Sequence, residues 1–81
     1  MSGAQKTHLR DKIRESERRV EYLTKEVEKY TKALGNPKLY NKNDPVANRA
    51  LQQFTREKKE LEAKLAEAEE RWMDLEERLN L

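Results

Sequence analysis

The sequence lacks cysteine and has one histidine, two glycines and two prolines among its 81 residues. Without cysteine the chain forms no disulfide and no thiolate metal site, and His8 alone cannot build a site of several histidines. No apolar stretch approaches the ~18 residues of a membrane-spanning helix, and the N-terminus has no apolar segment of the secretory type. These absences predict a soluble domain without a metal site, a cofactor, a small-molecule substrate or membrane contact.

Apolar and aromatic residues are also scarce, at 35% and 6% of the chain, whereas 42% of the residues are charged. That is too little apolar material for a round globule with a dense interior. The 18 basic and 16 acidic groups nearly cancel, whereas disordered chains usually combine polarity with a large net charge. A chain rich in Glu, Lys, Arg, Leu and Ala is typical of long helices.

No residue pattern points to catalysis. The chain has no glycine-rich phosphate loop and no GxxxxGK motif, so this segment has no means of its own to hydrolyse a nucleotide. The carboxylates between Glu67 and Glu77 belong to a predicted solvated helix surface, where no concave pocket shifts their pKa values. We therefore predict a non-enzymatic domain with no catalytic residues.

The glycines and prolines mark one break in the chain. Gly35 followed by Pro37 is typical of a helix end, with the glycine in the left-handed conformation. Asp44 before Pro45 is typical of a helix start, because aspartate accepts from free N–H groups and proline lacks the N–H that would stay unpaired there.

These signals predict two helices, over about residues 5–34 and 45–80, joined by a connector at 35–44. We expect residues 1–4 to be a flexible terminus or a remnant of cloning.

Apolar residues recur along both predicted helices at alternating steps of four and three. In the first helix they are Leu9, Ile13, Ser16, Val20, Leu23, Val27, Tyr30 and Leu34, with serine as the polar member. In the second they are Ala47, Leu51, Phe54, Lys58, Leu61, Leu65, Ala68, Trp72, Leu75 and Leu79, with lysine as the polar member. Such seams predict an all-α fold, an antiparallel two-helix coiled-coil hairpin.

Two other arrangements stay open. A parallel dimer of continuous helices also fits the seams, but each interior proline would cost about 3 kcal/mol. We expect a monomer, with a dimer of hairpins as the alternative. Within the hairpin we predict that Tyr30 meets Leu51, Ser16 meets Leu65 and Leu9 meets Trp72. Helices of ~30 residues at ~1.5 Å per residue predict a length of about 45 Å.

Charge is distributed unevenly along the predicted hairpin. Residues 29–59 carry eight basic and two acidic side chains, a net charge of +6, and residues 60–81 carry three basic and eight acidic ones, a net charge of −5. Folding back gathers residues 29–59 at the turn, which we call the basic tip. Such a tip is typical of contact with nucleic-acid phosphates.

The predicted nucleic-acid-binding residues are Lys32, Lys38, Lys42, Arg49, Arg56 and Lys59, with Tyr40 a weaker candidate for stacking on an unpaired base. Without an element shaped to read base edges, this binding is expected to be weak and tolerant of sequence. In the alternative interpretation the cations only solvate an exposed turn. Separately, we expect the apolar pair Leu39 and Tyr40 to fold back and cap the end of the coil. We interpret Trp72 as a packing residue.

Two motifs resemble one known family. They are the connector Leu34-Gly35-Asn36-Pro37-Lys38-Leu39-Tyr40, followed by Asp44, and the run Arg71-Trp72-Met73-Asp74-Leu75-Glu76-Glu77. Together they resemble the C-terminal coiled-coil domain of ABC-F ATPases of the Uup type, over about residues 6–79. The tandem ATP-binding domains of that family are absent from these 81 residues, as is a basic linker before the first helix.

The resemblance implies an excised C-terminal domain of a cytoplasmic bacterial ATPase, one that serves as a DNA-binding accessory module. The parent family works on ribosomes or DNA, so an RNA-contacting arm of a ribosome-associated ATPase stays an alternative. A hairpin arm of an aminoacyl-tRNA synthetase, such as the valyl enzyme, has a similar Asn-Pro connector but a poorer match to the Arg-Trp ending. A purely structural hairpin that mediates protein contacts is the third alternative.

Overall fold

A computed structural model of the chain describes residues 2–81. Two long helices, α1 (Gly3–Leu34) and α2 (Pro45–Asn80), are joined by a connector that contains a short 3₁₀ helix, Pro37–Tyr40. Helices α1 and α2 pack along each other in a single elongated layer, and the described residues contain no strand. The predicted all-α helical hairpin is therefore confirmed.

Helix α1 begins two residues before the predicted start because Ser2 caps it. The Ser2 hydroxyl accepts from the Gln5 N–H at 3.2 Å, and the Gln5 side chain accepts from the Ser2 N–H at 3.1 Å. This reciprocal capping box satisfies donors that the first turn leaves free. Of residues 1–4, expected to be flexible, Gly3 and Ala4 are thus helical, and Met1 lies outside the described residues.

Helix α1 ends at Leu34 as predicted, but not through a left-handed glycine. Gly35 has φ −79° and ψ −5°, in the right-handed region, so that part of the prediction was wrong. Asn36 instead turns the chain out of the helix, with φ −75° and ψ 116°. Pro37 explains this turn, because the proline ring disfavours the helical conformation of the residue before it.

Every predicted seam residue is buried or half-buried, which supports the heptad assignment. The residues buried most completely are Ile13, Ser16, Leu23, Ala47, Ala68 and Leu75. Few seam positions are fully enclosed, because two helices cover each other on one side only.

Trp72 packs as a seam residue rather than standing free. It is half-buried, and its indole N–H is buried with no hydrogen-bond partner among the described residues. A buried N–H without a partner costs stability. The ring therefore contributes by packing, in agreement with the interpretation from sequence.

The register between the helices differs from the predicted one. Tyr30 lies against Phe54, with ring centroids 5.9 Å apart and ring planes at 64°, and its hydroxyl interacts with the Glu57 carboxylate. These two contacts of Tyr30 lie three and six residues beyond the predicted partner Leu51. Likewise, Ser16 lines a groove with Ala68 and Leu75, further along α2 than the predicted Leu65.

Both sets of contacts fit a pairing in which each residue of α1 faces a residue of α2 seven positions beyond its predicted partner. A shift of seven residues still places the seam of one helix against the seam of the other. The physical reason lies in the connector. The 3₁₀ helix packs against α2, so the first turns of α2 lie beside the connector rather than beside the end of α1. The molecule is 63 Å long, beyond the predicted 45 Å, with a cross-section of 14 × 13 Å. Part of the excess is the length of α2, whose 36 residues span about 54 Å at ~1.5 Å each, and the offset between the helices adds to it. Among the described residues, neither helix is long and apolar enough to cross a membrane.

Candidate nucleic-acid interface

The connector at the basic tip is held by polar groups rather than by a core. Three side chains accept from backbone N–H groups a few residues ahead: Asn36 from Lys38 at 3.1 Å, Asn41 from Asn43 at 3.0 Å, and Asp44 from Val46 at 3.0 Å and Ala47 at 3.2 Å. The Asn48 amide donates to the Lys42 carbonyl at 3.3 Å. Asp44 thereby caps α2 as predicted, and short polar side chains give the tip a defined backbone.

Tyr40 ties the connector back to α1. Its hydroxyl donates to the Leu34 carbonyl at 2.6 Å, which satisfies one of the acceptors that the last turn of α1 leaves free. Leu39 beside it is half-buried. The interpretation in which this pair folds back onto the coil is therefore supported. The Tyr40 side chain nevertheless remains 53% exposed, so part of its ring faces solvent.

The six predicted phosphate-binding cations all lie in the tip region and are all exposed. Lys32 is in the last turn of α1, Lys38 in the 3₁₀ helix and Lys42 in the turn before α2. The other three, Arg49, Arg56 and Lys59, lie in the first half of α2. The hairpin thus brings together cations separated by up to 27 positions in the sequence.

None of these six cations forms an ion pair among the described residues. The ion pairs there are Arg14–Asp11 at 3.4 Å and Lys29–Glu26 at 3.0 Å. Lys29 and the Tyr22 hydroxyl both hold the Glu26 carboxylate, and these hydrogen bonds lower the pKa of Glu26. Lys29 therefore contributes its charge to the tip but is already engaged, whereas the six predicted residues keep their charges unpaired.

Arg49 and Arg56 share the outer face of α2 with two residues that the sequence prediction missed. Gln52 and Gln53 lie between them at helical spacing, and all four side chains are exposed. They line one shallow groove together with Glu57 and Glu60. Gln52, Gln53 and Arg56 follow Arg49 by three, four and seven residues, the spacing of one helix face, and this face lies directly opposite the seam. That spacing could have identified the two glutamines from the sequence.

Glu57 is the acidic residue of the tip that faces α1. The Tyr30 hydroxyl, and then the Gln53 amide at 3.1 Å, stabilise its charged form and lower the pKa of Glu57. The same interaction with Glu57 raises the pKa of Tyr30, because ionising the phenol would place two negative charges together. Glu57 is therefore held in its charged form beside Tyr30 of α1, and its negative charge remains at the tip.

Towards the open end, which we define as residues 3–28 of α1 and 60–80 of α2, the groove between the helices has a different character. Glu15 and Arg19 of α1 line it with Lys64, Glu67, Glu70, Arg71, Asp74 and Arg78 of α2, so both signs are mixed. Within residues 2–81, no group of three or more acidic or histidine side chains is placed to hold a metal ion.

The comparison with protein families agrees with the motifs. The family described as ABC transporter C-terminal domain matches residues 5–77, which include the whole connector and nearly all of both helices. Comparisons with curated proteins and with solved structures gave no match. The family match supports the resemblance to ABC-F ATPases that the connector and the Arg71-Trp72 motif indicated. The chain belongs to the ABC transporter C-terminal domain family.

Proposed function

We propose that this domain is a non-catalytic, nucleic-acid-binding arm of a cytoplasmic bacterial ABC-F-type ATPase, with DNA as the favoured partner. The observation that carries the proposal is the set of six exposed tip cations without an ion-pair partner among the described residues. Cations left unpaired at one end of a rod attract a polyanion, and binding gains free energy from the counterions that leave it.

The polar hydrogen bonds of the connector support the same proposal. These hydrogen bonds hold the backbone between Asn36 and Asn48 in one conformation, so Lys38 and Lys42 extend from an ordered segment of the chain. A fixed array of charges loses less conformational entropy on binding than a mobile one. The exposed part of the Tyr40 ring adds a stacking surface for a base beside these cations.

The first test measures affinity by fluorescence anisotropy with labelled duplex DNA, single-stranded DNA and structured RNA, at about 50 and 200 mM salt. Neutralising four to six phosphates predicts an affinity that falls roughly 100- to 1000-fold between these salts. Preference for RNA would replace DNA as the partner and favour the ribosome-associated alternative. No binding to any of the three at about 50 mM salt would overturn the proposal in favour of a protein-contact hairpin.

A charge-reversal pair locates the contact surface. The variant Lys38→Glu, Lys42→Glu, Arg49→Glu is expected to lose all measurable binding and to keep its helical circular dichroism, because the three side chains are exposed. The matched control Lys6→Glu, Arg10→Glu, Arg18→Glu changes the net charge equally at exposed sites of the open end. We expect it to keep its affinity within about threefold at 200 mM salt, where screening limits long-range attraction to ~8 Å. An equal loss in both variants would show that only the total charge matters.

A further inference from the structure

The outer face of α2 nearest the tip has a composition that phosphate binding alone does not require. Arg49, Gln52, Gln53 and Arg56 follow one another at steps of three, one and three residues, which places them on one side of the helix. The opposite side carries Ala47, Leu51 and Phe54, which are buried or half-buried in the hairpin. Neither α1 nor the connector therefore covers the Arg-Gln face.

The side chains of this face are exposed, with Glu57 and Glu60 at the edge of the same groove and the Arg56 charge acting on Glu57. Arg49 and Arg56 have no ion-pair partner among the described residues, and Gln52 has no side-chain hydrogen bond there. Gln53 donates to the Glu57 carboxylate at 3.1 Å, which leaves its amide oxygen available as an acceptor. Guanidinium and primary amide groups are the side chains that make paired hydrogen bonds with the edges of guanine and adenine, respectively.

The dimensions of the face match a groove of double-stranded DNA. Seven residues separate Arg49 from Arg56, about 10 Å along the helix axis at ~1.5 Å per residue, and this distance corresponds to about three base-pair steps of ~3.4 Å. A single α-helix fits the ~12 Å major groove of B-form DNA, whereas the deep and narrow major groove of A-form RNA does not admit side chains.

The continuation of the same outer face limits how far the helix enters. Beyond Arg56 it carries Glu60, Glu67, Glu70 and Asp74, all exposed, and phosphates repel them. Only the first turns of α2 can therefore approach DNA closely. Lys38 and Lys42 of the connector, and Lys59 on a flank of α2, are then left for the phosphates beside the groove.

We propose that the first turns of α2 read the major groove of B-form duplex DNA. Arg49 and Arg56 would contact guanine edges, and Gln52 an adenine edge, over a site of three to four base pairs. This inference rests on the proposed function and deepens it, since it replaces sequence-tolerant phosphate contact with recognition of a short sequence.

The test begins by selecting bound duplexes from a randomised library and measuring the affinity for the enriched sequence against a scrambled one. We expect a preference of about tenfold or more, as one or two paired base contacts supply. Replacing guanine by 7-deazaguanine removes the N7 acceptor without changing the phosphates, and is expected to abolish most of that preference.

Charge-preserving variants separate base reading from phosphate contact. Arg49→Lys with Arg56→Lys keeps both charges but loses the guanidinium fork, and is expected to lose about tenfold in affinity for the enriched duplex and less than about twofold for the scrambled one. The matched control Lys6→Arg with Lys25→Arg, at exposed sites of the open end, is expected to change both affinities by less than about twofold. The 7-deazaguanine substitution should then affect the Arg49→Lys, Arg56→Lys variant less than the parent chain, because lysine lacks the planar guanidinium fork.

Failure of this inference is distinguishable from failure of the proposed function. If the library yields no enriched sequence, or the arginine variant weakens both duplexes equally, base reading is wrong while nucleic-acid binding stands. Binding to RNA alone overturns base reading in the same way. The absence of any nucleic-acid binding overturns both.

Discussion

The two ends of this hairpin are held together by different forces. At the open end the fully buried residues are apolar except for Ser16, and Leu75 is only 2% exposed. At the basic tip Ala47 is the one fully buried apolar residue among those described. There the side chains of Asn36, Asn41 and Asp44 order the chain by accepting hydrogen bonds from backbone N–H groups. Apolar packing therefore stabilises one end, and polar local structure shapes the other. Charges at the tip can thus vary without loss of the fold.

The largest effect is expected from removing a core side chain at the open end. Leu75→Ala should lower the free energy of unfolding by about 2–5 kcal/mol, because it leaves a cavity between the helices. Urea denaturation followed by circular dichroism measures it. The matched change at the tip, Leu39→Ala, should cost clearly less, since Leu39 is only half-buried. Equal costs would show that the two ends share one core.

A smaller effect is expected from the polar structure of the tip. Asp44→Ala removes the acceptor for the N–H groups of Val46 and Ala47, and should cost about 0.5–2 kcal/mol. Asp44→Asn keeps an acceptor and should retain most of that stability. Ser2→Ala removes the cap of α1 at the chain end and should cost less, because a terminal turn frays locally. Thermal and urea unfolding of the three variants test this order.

The acidic outer face of α2 should weaken binding at the tip only modestly. Glu67→Gln with Glu70→Gln and Asp74→Asn is expected to raise the affinity for DNA two- to fivefold at about 50 mM salt. Glu67 lies about 16 Å along the helix from Arg56, and the screening length falls to ~8 Å at physiological salt. The gain should therefore disappear near 200 mM salt in anisotropy titrations. A gain that persists there would place these carboxylates in direct contact with DNA.

The smallest effect is expected from the contact between Tyr30 and Glu57, and it depends on pH. The folded state lowers the pKa of Glu57 below its ordinary value of 4.5, so the contribution to stability is present above that value and is lost as the pH falls through the folded pKa. Tyr30→Phe should therefore lower stability near pH 6 and have a much smaller effect near pH 3, as measured by urea unfolding.

Tyr40→Phe serves as the control for that pH dependence. Its hydroxyl donates to the Leu34 carbonyl, which does not titrate, so the cost of the substitution should be the same at both pH values. A cost of Tyr30→Phe that also stays constant between pH 6 and pH 3 would contradict the role assigned to Glu57.

The sequence predicted the elements of this fold better than their mutual placement. Pro37, Asp44 and Pro45 impose local backbone restrictions, so the ends of the helices at the connector were predictable. The register was not, because a heptad pattern is unchanged by a shift of seven residues. What selects the register is the 3₁₀ helix from Pro37 to Tyr40 and its contact with α2, which no periodicity encodes.

The candidate site shows the same division. The six cations follow from counting charges, and all six are exposed in the tip region. Their freedom from ion pairs did not follow, since Lys29 has the same charge and yet is bound to Glu26. Gln52 and Gln53 were not predicted because the prediction rested on charge, and an uncharged amide matters only once the exposed side of α2 is known.

The separation of charge along the 63 Å axis gives the molecule a large electric dipole moment. The net charge of the protein is only +2. The field of a nearby polyanion therefore acts on the molecule mainly by orienting its dipole, with the basic tip towards the polyanion. Two copies of the rod also complement each other when they lie side by side in opposite directions. Dilute salt should therefore favour such pairing at high protein concentration, and adding salt should disperse it.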